Sequence, residues 1–440
     1  MSSAILLSSL GGLEASFSVL LTLSYGVLAA RMGMVSPTTA KDVSALCRNM
    51  FLPALLITNI GTQLTWQNVM TYLPIFVWAI LYAAVCIVVG QICAKVFKLP
   101  SWTILAITFN NTTSLPLLLT KSLTSTSLLQ SIAGGDVNAA VQRAQSYFLI
   151  NSMVSNAATF AIGPKIIRDD DIDEEDGEET EQEQNVDDRP SQNDGQDDST
   201  PSERTSLLPK PITSGLAKTQ SAASNQFHRL PSSLQTGLSY AGSLVNPTLI
   251  GAILAIVIGI TPPLHKAFFA KMDQGGVLNA WLTSSISNIG ELFTSLQMFV
   301  VGSKLSSSFS ASSESKSQSS PNPPKRALLF IFVIRFIVMA AFSIPAIYLI
   351  STRTSLLSDD PMLWFSMMLM PVGPPAMLLS TLIEVADIKS EKKKMGVQMK
   401  VARMLGWMYV ISPIMGLIVV AALEASKAAM DMKNAGVIRA

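Results

Sequence analysis

A run of amide and hydroxyl side chains, Phe-Asn-Asn-Thr-Thr-Ser-Leu-Pro at residues 109–116, lies in the middle of an apolar stretch at residues 101–123. Polar groups in hydrocarbon are costly unless protein surrounds them or they line a cavity. Pro116 has no amide hydrogen to donate and would break a helix near Thr112. The run therefore predicts two half-helices whose junction binds a polar substrate. The residues predicted to bind it are Asn110, Asn111, Thr112, Thr113, Ser114 and Pro116.

A second break is predicted in the apolar stretch at residues 361–384, where Pro-Val-Gly-Pro-Pro occupies residues 371–375. Both breaks fall near the middle of their stretches, so we expect them near the bilayer midplane. A proline suits the first turn of the half-helix that follows it, and the N-terminus of that half-helix attracts an anion, most simply a carboxylate. The alternative for either run is that its residues only form hydrogen bonds to neighbouring helices or relieve a proline kink. The substrate-binding residues predicted in this second break are Pro371, Gly373, Pro374 and Pro375.

Composition places both stretches in an integral membrane protein. Of 440 residues, 49% are hydrophobic and only 14% are charged, which is too apolar for a soluble chain of several domains. A helix needs roughly 20 apolar residues to cross about 30 Å of hydrocarbon. Ten stretches come close to that length, at residues 12–31, 42–61, 72–97, 101–123, 146–163, 245–262, 286–304, 327–351, 361–384 and 404–424.

The order of these ten stretches predicts the architecture. Lysine and arginine residues of the loops, the long central segment excluded, number 14 on one side and eight on the other, which places the first set in the cytosol. The fourth stretch then leaves the cytosol and the ninth returns to it, at corresponding positions of two oppositely oriented halves. We expect an all-α membrane protein of ten transmembrane helices in two inverted five-helix repeats, residues 1–163 and 245–440, with broken helices 4 and 9 crossing.

The segment between the repeats, residues 164–244, has the composition of a disordered acidic cytosolic loop. Residues 169–203 contain 17 acidic residues and one basic residue among Ser, Gln and Pro, which cannot bury enough apolar surface to fold. Glu203, Leu207 and Leu208 have the spacing of an acidic dileucine sorting signal, which a sorting adaptor would bind; an inert linker is the alternative. A Ser-rich segment at residues 303–325 is typical of a flexible connector that a kinase could phosphorylate.

Other polar residues within the stretches have two interpretations each. Asn59, Asn151 and Asn156 either line the cavity or bridge helices. Arg48 and Arg335 lie near the cytosolic ends of their stretches, where a long side chain can reach the headgroups. A functional charge inside the membrane is the alternative for these two.

The sequence offers no chemistry for an enzyme. Cys47, Cys86 and Cys93 fall within apolar stretches and are expected to act as small buried hydrophobic side chains. His228 and His265 lie outside the stretches, and neither a Cys/His metal spacing nor a glycine-rich phosphate loop occurs. We therefore expect no metal, no cofactor and no nucleic acid partner.

Five segments carry a recognisable pattern: FLPALLITNIG at 51–61, FNNTTSLPLLL at 109–119, NPTLIGAILAIVIG at 246–259, IRFIVMAAFSIP at 334–345 and PVGPPAMLLSTL at 371–382. In these segments the chain resembles the auxin efflux carrier family, and more closely its PIN-LIKES and fungal branch than the long plant PIN carriers. The resemblance covers residues 10–163 and 236–424. It implies a ten-span fold of inverted repeats, with a scaffold part and a transport part that cross at spans four and nine.

The resemblance also implies export or intracellular sequestration of an organic anion such as indole-3-acetate, often at the endoplasmic reticulum. Together with the breaks, this favours a secondary-type transporter of a small organic anion, with an auxin-like carboxylate as one candidate. A non-transporting membrane regulator or scaffold that acts through the acidic loop is the alternative. We expect a multi-pass protein of the endoplasmic reticulum membrane, with the vacuolar, endosomal or plasma membrane as alternatives, and leave a homodimer open.

Overall fold

Helices account for the regular secondary structure of the residues that the structure, a computed structural model, describes: 2–124, 128–167, 247–314, 323–385 and 391–435. The all-α prediction is confirmed for these residues. The helices are α1 (Ser2–Arg31), α2 (Pro37–Leu46), α3 (Leu52–Gln63), α4 (Val69–Phe97), α5 (Ser101–Thr108), α6 (Ser114–Leu123), α7 (Val137–Ile166), α8 (Pro247–Ile260), α9 (Pro262–Phe269), α10 (Ser284–Glu314), α11 (Lys325–Phe332), α12 (Met339–Arg353), α13 (Pro361–Leu369), α14 (Leu378–Val385), α15 (Glu391–Ile411) and α16 (Met415–Asn434).

Five helical runs in the described residues are long and apolar enough to cross a membrane, against the ten stretches expected from the sequence. A sixth is gained if α8 and α9, which are bent by 102° at their junction, count as one span. These runs identify an integral, multi-pass membrane protein. They are Ser9–Arg31, Pro37–Gln63, Val69–Phe97, Lys325–Arg353 and Lys393–Asn434.

Helix breaks and polar residues explain the difference from ten. α5 and α6 have 8 and 10 residues, and α13 and α14 have 9 and 8, so each piece is too short to cross alone. α7 and α10 have 30 and 31 residues, but Ser, Thr, Asn and Gln are frequent along both. α8 ends where it does because Pro262 and Pro263 begin α9 and have no amide hydrogen for its last carbonyls.

α4 shows how the helices divide their surfaces between protein and lipid. Buried residues such as Tyr72, Ile75 and Trp78 recur every three or four positions along one face. On the rest of the helix, Val77 and Ile80 are 58% and 62% exposed. Large apolar side chains exposed along such a length are typical of a surface that contacts a membrane.

α1 packs along α10 so closely that two glycines leave no room for a methyl group. A Cβ added to Gly26 would lie 1.9 Å from the carbonyl oxygen of Phe299. One added to Gly302 would lie 1.9 Å from the carbonyl oxygen of Leu23. Small residues at such contacts let helix backbones approach each other within a membrane. The two helices therefore pack backbone against backbone at these two positions.

α13 is fixed in place by hydrogen bonds from α4 and α7. The indole Nε1 of Trp78 donates to the carbonyl of Met367 at 2.9 Å. Asp360, which caps the start of α13, accepts from the Tyr147 hydroxyl at 2.6 Å and lies 3.4 Å from Nε of Arg143. These contacts set the position of the helix that leads into the second break.

The segment between α7 and α8 is outside the described residues. This applies to residues 168–246, which include Glu203, Leu207 and Leu208, and to residues 315–322 of the Ser-rich connector. The acidic loop and the dileucine sorting signal therefore stay predictions.

Candidate functional site

The fourth and ninth expected spans are both broken at the residues that the sequence indicated. Residues 109–113 separate α5 from α6, and residues 370–377 separate α13 from α14. The two breaks meet, because Asn110 and Pro375 form an antiparallel backbone bridge. We call these two segments together the crossing.

Two main-chain hydrogen bonds hold the crossing together. The amide of Asn111 donates to the carbonyl of Pro374 at 2.9 Å. The amide of Ala376 donates to the carbonyl of Phe109, also at 2.9 Å. Groups that the helix ends leave without a partner thus find one in the other break, which is the condition for non-helical backbone inside a bilayer.

Asn110 adds side-chain hydrogen bonds to this pairing. The residue is 3% exposed, and its Nδ2 donates to the carbonyls of Met370 at 2.9 Å and Val372 at 3.1 Å. Its Oδ1 is buried and has no hydrogen-bond partner among the residues described. Asn110 was predicted as a substrate ligand, but its donors bind the second break, which leaves Oδ1 for another group.

Asn111 is bonded to a residue that the sequence did not indicate. Its Nδ2 donates to the hydroxyl of Tyr409 on α15 at 2.7 Å and to Oγ of Ser114 at 3.0 Å. Its Oδ1 accepts from the amide of Thr113 at 3.3 Å. Tyr409 is fully buried and lies 298 positions further along the chain, so no local pattern could have revealed its role.

Arg335 also belongs to the crossing, which corrects the expectation that its side chain reaches the headgroups. The residue is fully buried. Its Nε donates to the carbonyl of Gly373 and its Nη1 to that of Ile107, each at 3.0 Å, so one guanidinium binds carbonyls of both broken helices. It lies in the π-helical turn Val333–Val338, a distortion frequent at functional sites. The favoured interpretation was therefore wrong, since it ignored carbonyls that the breaks make available.

A cavity of about 200 Å³ lies beside the crossing. The first break contributes Asn110, Asn111, Thr112, Thr113 and Ser114, all of them among the residues predicted from the sequence. The rest of the lining comes from α7, from the second break with α14, and from α2, α3, α8, α10 and the turn before α3: Asn156; Ala376, Met377 and Leu378; Ser44, Arg48, Asn49, Leu52, Pro247, Thr248, Phe293, Gln297, Val301 and Lys304.

The other five predicted residues, Pro116, Pro371, Gly373, Pro374 and Pro375, are not part of this lining. Pro116 is the third residue of α6, within its first turn as predicted. Pro374 and Pro375 precede α14, so the expectation that a proline starts that half-helix is wrong. Gly373 has a φ of +124°, a backbone conformation that residues with a side chain rarely adopt.

The three asparagines outside the breaks have different roles. Asn156 lines the cavity at the crossing. Asn59 lines a separate cavity of about 560 Å³ between α3, α7, α9 and α10. Asn151 is fully buried, and its Oδ1 accepts from the Tyr82 hydroxyl at 2.9 Å, which bridges α7 to α4. Cavity lining and helix bridging, the two interpretations left open by the sequence, thus each apply.

Arg48 and Lys304 give the cavity at the crossing its charge. Arg48 lies in the π-helical turn Cys47–Phe51, and Lys304 lies on α10. Among the described lining residues there is no acidic side chain. The cavity therefore combines neutral amides and hydroxyls with positive charge, an arrangement that can bind an anion.

The cysteines and potential metal ligands add no further chemistry in the described part of the chain. Cys47 and Cys86 are buried, as predicted, and Cys93 is half-buried; all three are free thiols. Clusters of three or more His, Cys, Asp or Glu side chains that could hold a metal ion are absent from the described residues.

Two comparisons with known proteins identify the class of protein to which the chain belongs. Residues 12–387 match the sequence model of a family described as "Membrane transport protein". The chain is also 23% identical over 427 residues to an uncharacterized transporter of Schizosaccharomyces pombe, a match that covers 91% of each chain. These matches indicate a transport protein and not an enzyme, and they confirm the resemblance to the auxin efflux carriers. The chain belongs to the membrane transport protein family.

Proposed function

We propose that this membrane transporter is a secondary-type carrier of a small organic anion and that the cavity at the crossing is its binding site. One observation carries the proposal: amides and hydroxyls of the first break share that cavity with Arg48 and Lys304, and no described lining residue is acidic. The volume of about 200 Å³ is below the roughly 300–1,000 Å³ of pockets for drug-sized ligands, which favours a metabolite-sized substrate. An auxin-like carboxylate is one candidate.

The proposal includes ten membrane spans in two inverted five-helix repeats. The antiparallel bridge between the two breaks supports it, because broken helices of such repeats meet near the bilayer midplane and form the binding site there. α7 and α10 are long enough to serve as spans. The pieces on either side of each break would together make one span.

Transport would serve efflux from the cell or sequestration in an organelle. We propose the endoplasmic reticulum membrane as the location, with the vacuolar, endosomal or plasma membrane as alternatives. We also propose that a sorting adaptor or a kinase binds the acidic loop. A homodimer is part of the same proposal. A non-transporting regulator is less favoured, because it has no need for two costly helix breaks that meet inside the membrane.

Uptake by proteoliposomes that contain the purified full-length protein tests the proposal. The probes are radiolabelled indole-3-acetate, benzoate, lactate and succinate, with the organic cation tetraethylammonium as a comparison. We expect saturable uptake of at least one carboxylate and none of the cation. Met377→Trp, which fills the cavity, should abolish this uptake, whereas Met395→Trp, at a position of α15 that is 64% exposed, should not.

Two outcomes would contradict the proposal in different ways. Carboxylate uptake that Met377→Trp leaves unchanged would exclude the crossing as the binding site. If the protein unfolds cooperatively and is correctly reconstituted, absence of uptake for all four carboxylates would exclude small organic anions as the substrate class.

A further inference from the structure

The cavity of about 560 Å³, called the second cavity from here on, lies along the same helices as the cavity at the crossing. α3, α7 and α10 contribute residues to both linings, and each of these helices is continuous between the two. On α3, Leu52 lines the cavity at the crossing and Thr58 lines the second cavity. Six residues of helix rise by about 9 Å, so one cavity follows the other closely along α3.

A contact between α3 and α10 lies between the two cavities. Leu55 is three positions along α3 from a lining residue of each cavity. Gly290 is three positions along α10 from Ser287 of the second cavity and three from Phe293 of the cavity at the crossing. Residues at this spacing lie on the same side of a helix. A Cβ added to Gly290 would lie 2.7 Å from the amide nitrogen of Leu55, so the two backbones touch at this level.

The lining of the second cavity is rich in hydrogen-bonding groups. Nine of its 13 described residues carry a hydroxyl or an amide, and none is acidic, so a polar substrate or an anion is better suited to it than an apolar one. The Nδ2 atom of Asn59, one of these residues, is buried and has no hydrogen-bond partner among the described residues. A buried donor without a partner costs free energy, and a carboxylate oxygen would offset that cost.

Asn59 lies at the end of the second cavity that is nearer to the crossing. It follows Leu55 by four positions, which is about one helical turn from the contact with α10. Its main-chain carbonyl lies 3.1 Å from Oγ of Ser146 on α7, which ties the two helices together at this level. The donor without a partner is thus placed next to the contact that separates the cavities.

The other end of the second cavity reaches the protein surface. Lys271 and Met272, which follow α9, belong to the lining, and Met272 is 81% exposed. The central segment is predicted to be cytosolic, and one predicted span separates it from these residues. We therefore expect the mouth of the second cavity on the non-cytosolic side of the membrane.

We propose that the second cavity is a further binding site for the transported anion, with Asn59 as its hydrogen-bond donor. The contact between Leu55 and Gly290 is the seal between this site and the crossing. The inference rests on the proposed function and gives the transport path two sites in series. The substrate passes between them when α3 and α10 separate at the seal.

Two neighbouring serines of α10 test whether the second cavity belongs to the transport path. Ser284 lines the cavity and Ser285 does not, and both are exposed. In proteoliposomes, Ser284→Trp should abolish most of the uptake of the carboxylate that the wild type transports, because the indole fills the cavity. Ser285→Trp should keep the wild-type uptake. Equal uptake by the two variants would overturn the inference.

The role of Asn59 is tested by the concentration dependence of uptake. Asn59→Leu removes the amide at similar size and should raise the KM about 10- to 100-fold, the effect of losing one hydrogen bond to a charged group. Asn138→Leu, at an exposed position of α7 outside both cavities, should leave the KM unchanged. The same KM in both variants would overturn the assignment of Asn59.

The seal is tested by forcing α3 and α10 apart. Gly290→Ala places a methyl group against the backbone of Leu55, so uptake should gain a component that rises with concentration and does not saturate. Gly12→Ala strains a comparable contact outside both cavities, since its Cβ would lie 2.5 Å from the carbonyl oxygen of Gly416, and should show no such component. Fully saturable uptake by Gly290→Ala would overturn the seal. If that variant does not fold, Leu55→Ala, which removes volume at the same level, is measured in its place.

The second site and the proposed function fail in different ways. Wild-type uptake that neither Ser284→Trp nor Asn59→Leu changes would overturn the second site alone, whereas no carboxylate uptake by the wild type would overturn both. If Ser284→Trp does not fold, Ser284→Cys and Ser285→Cys are reconstituted and then modified with a bulky thiol reagent. Modification should block uptake by the first variant only, and equal uptake after modification would overturn the second site.

Discussion

The two breaks look equivalent in the sequence but contribute different chemistry to the crossing. The first break supplies side chains, because Asn110 donates to carbonyls of the second break while Asn111 bonds to Ser114 and Tyr409. The second break supplies main chain, mostly as carbonyl acceptors. One break is rich in asparagine and the other in proline, and each composition matches the groups that the break contributes.

This difference shows how a proline-rich segment can take part in a polar site without polar side chains. Proline cannot donate a hydrogen bond and disfavours helix in the residue before it, so nearby carbonyls remain free to accept. We therefore expect the first break to depend on the identity of its side chains. The second should depend on the conformation of its backbone.

The largest effect is expected where both breaks share one partner. Arg335→Met leaves the carbonyls of Ile107 and Gly373 unpaired, at about 1–3 kcal/mol each, so we expect a loss of about 2–6 kcal/mol in the free energy of unfolding. The loss is near 2 kcal/mol if removal of the buried positive charge offsets part of the cost of the unpaired carbonyls. Thermal unfolding in detergent measures this loss when it is followed with a dye that reacts with the cysteines as unfolding exposes them. Arg353→Met, at an exposed position of α12, is the control, and equal unfolding temperatures would contradict the bridging role.

Asn110→Ala tests the dependence of the first break on side chains. The variant loses two hydrogen bonds to the second break, and we expect the free energy of unfolding to fall by about 1–3 kcal/mol. Carboxylate uptake should fall as well, because the crossing is less well held. Asn49→Ala, an exposed asparagine in the lining of the same cavity, should leave stability unchanged. Equal stability of the two variants would show that the side chain of Asn110 does not hold the crossing.

Gly373→Ala tests the dependence of the second break on backbone conformation. A φ of +124° is strained for alanine, so we expect a loss of about 1 kcal/mol or more. Gly396→Ala is a matched control of opposite sign: Gly396 lies inside α15 with open space around it, and the change should stabilise by about 0.5–1 kcal/mol. If both variants shift the unfolding temperature in the same direction, the strain argument fails.

The smallest effect is expected for Pro374→Ala. The group that Pro374 contributes is its carbonyl, which accepts from the amide of Asn111, and alanine keeps that carbonyl. We expect a loss of only about 0.4–1 kcal/mol, from the greater freedom of the unfolded chain. Destabilisation as large as that of Asn110→Ala, in the same thermal assay, would remove the distinction between the two breaks.

The positions of the breaks could be predicted because local composition determines them. Pro116 and the polar residues before it disfavour an uninterrupted helix, and so do the clustered prolines of residues 371–375. The partners could not be predicted, since Asn111 and Tyr409 are 298 positions apart and Arg335 and Ile107 are 228 apart. The position of Arg335 along its stretch was also misleading, because it placed the residue close enough to the membrane surface for the side chain to reach the headgroups. The guanidinium instead binds carbonyls of the two broken helices, which are far apart in the sequence.

The hydrogen bonds of Asn110 have a consequence for how the protein is made. Its two acceptors lie 260 and 262 positions later in the chain. At the usual 5–20 residues per second, a ribosome needs about 13 to 52 seconds to synthesise those 260 residues. During that interval the two acceptors do not exist, so the side-chain amide of Asn110 needs other hydrogen-bond partners, such as water or the insertion machinery. A ribosome that stalls in the central segment leaves a half-protein in which Asn110 has neither of these two acceptors.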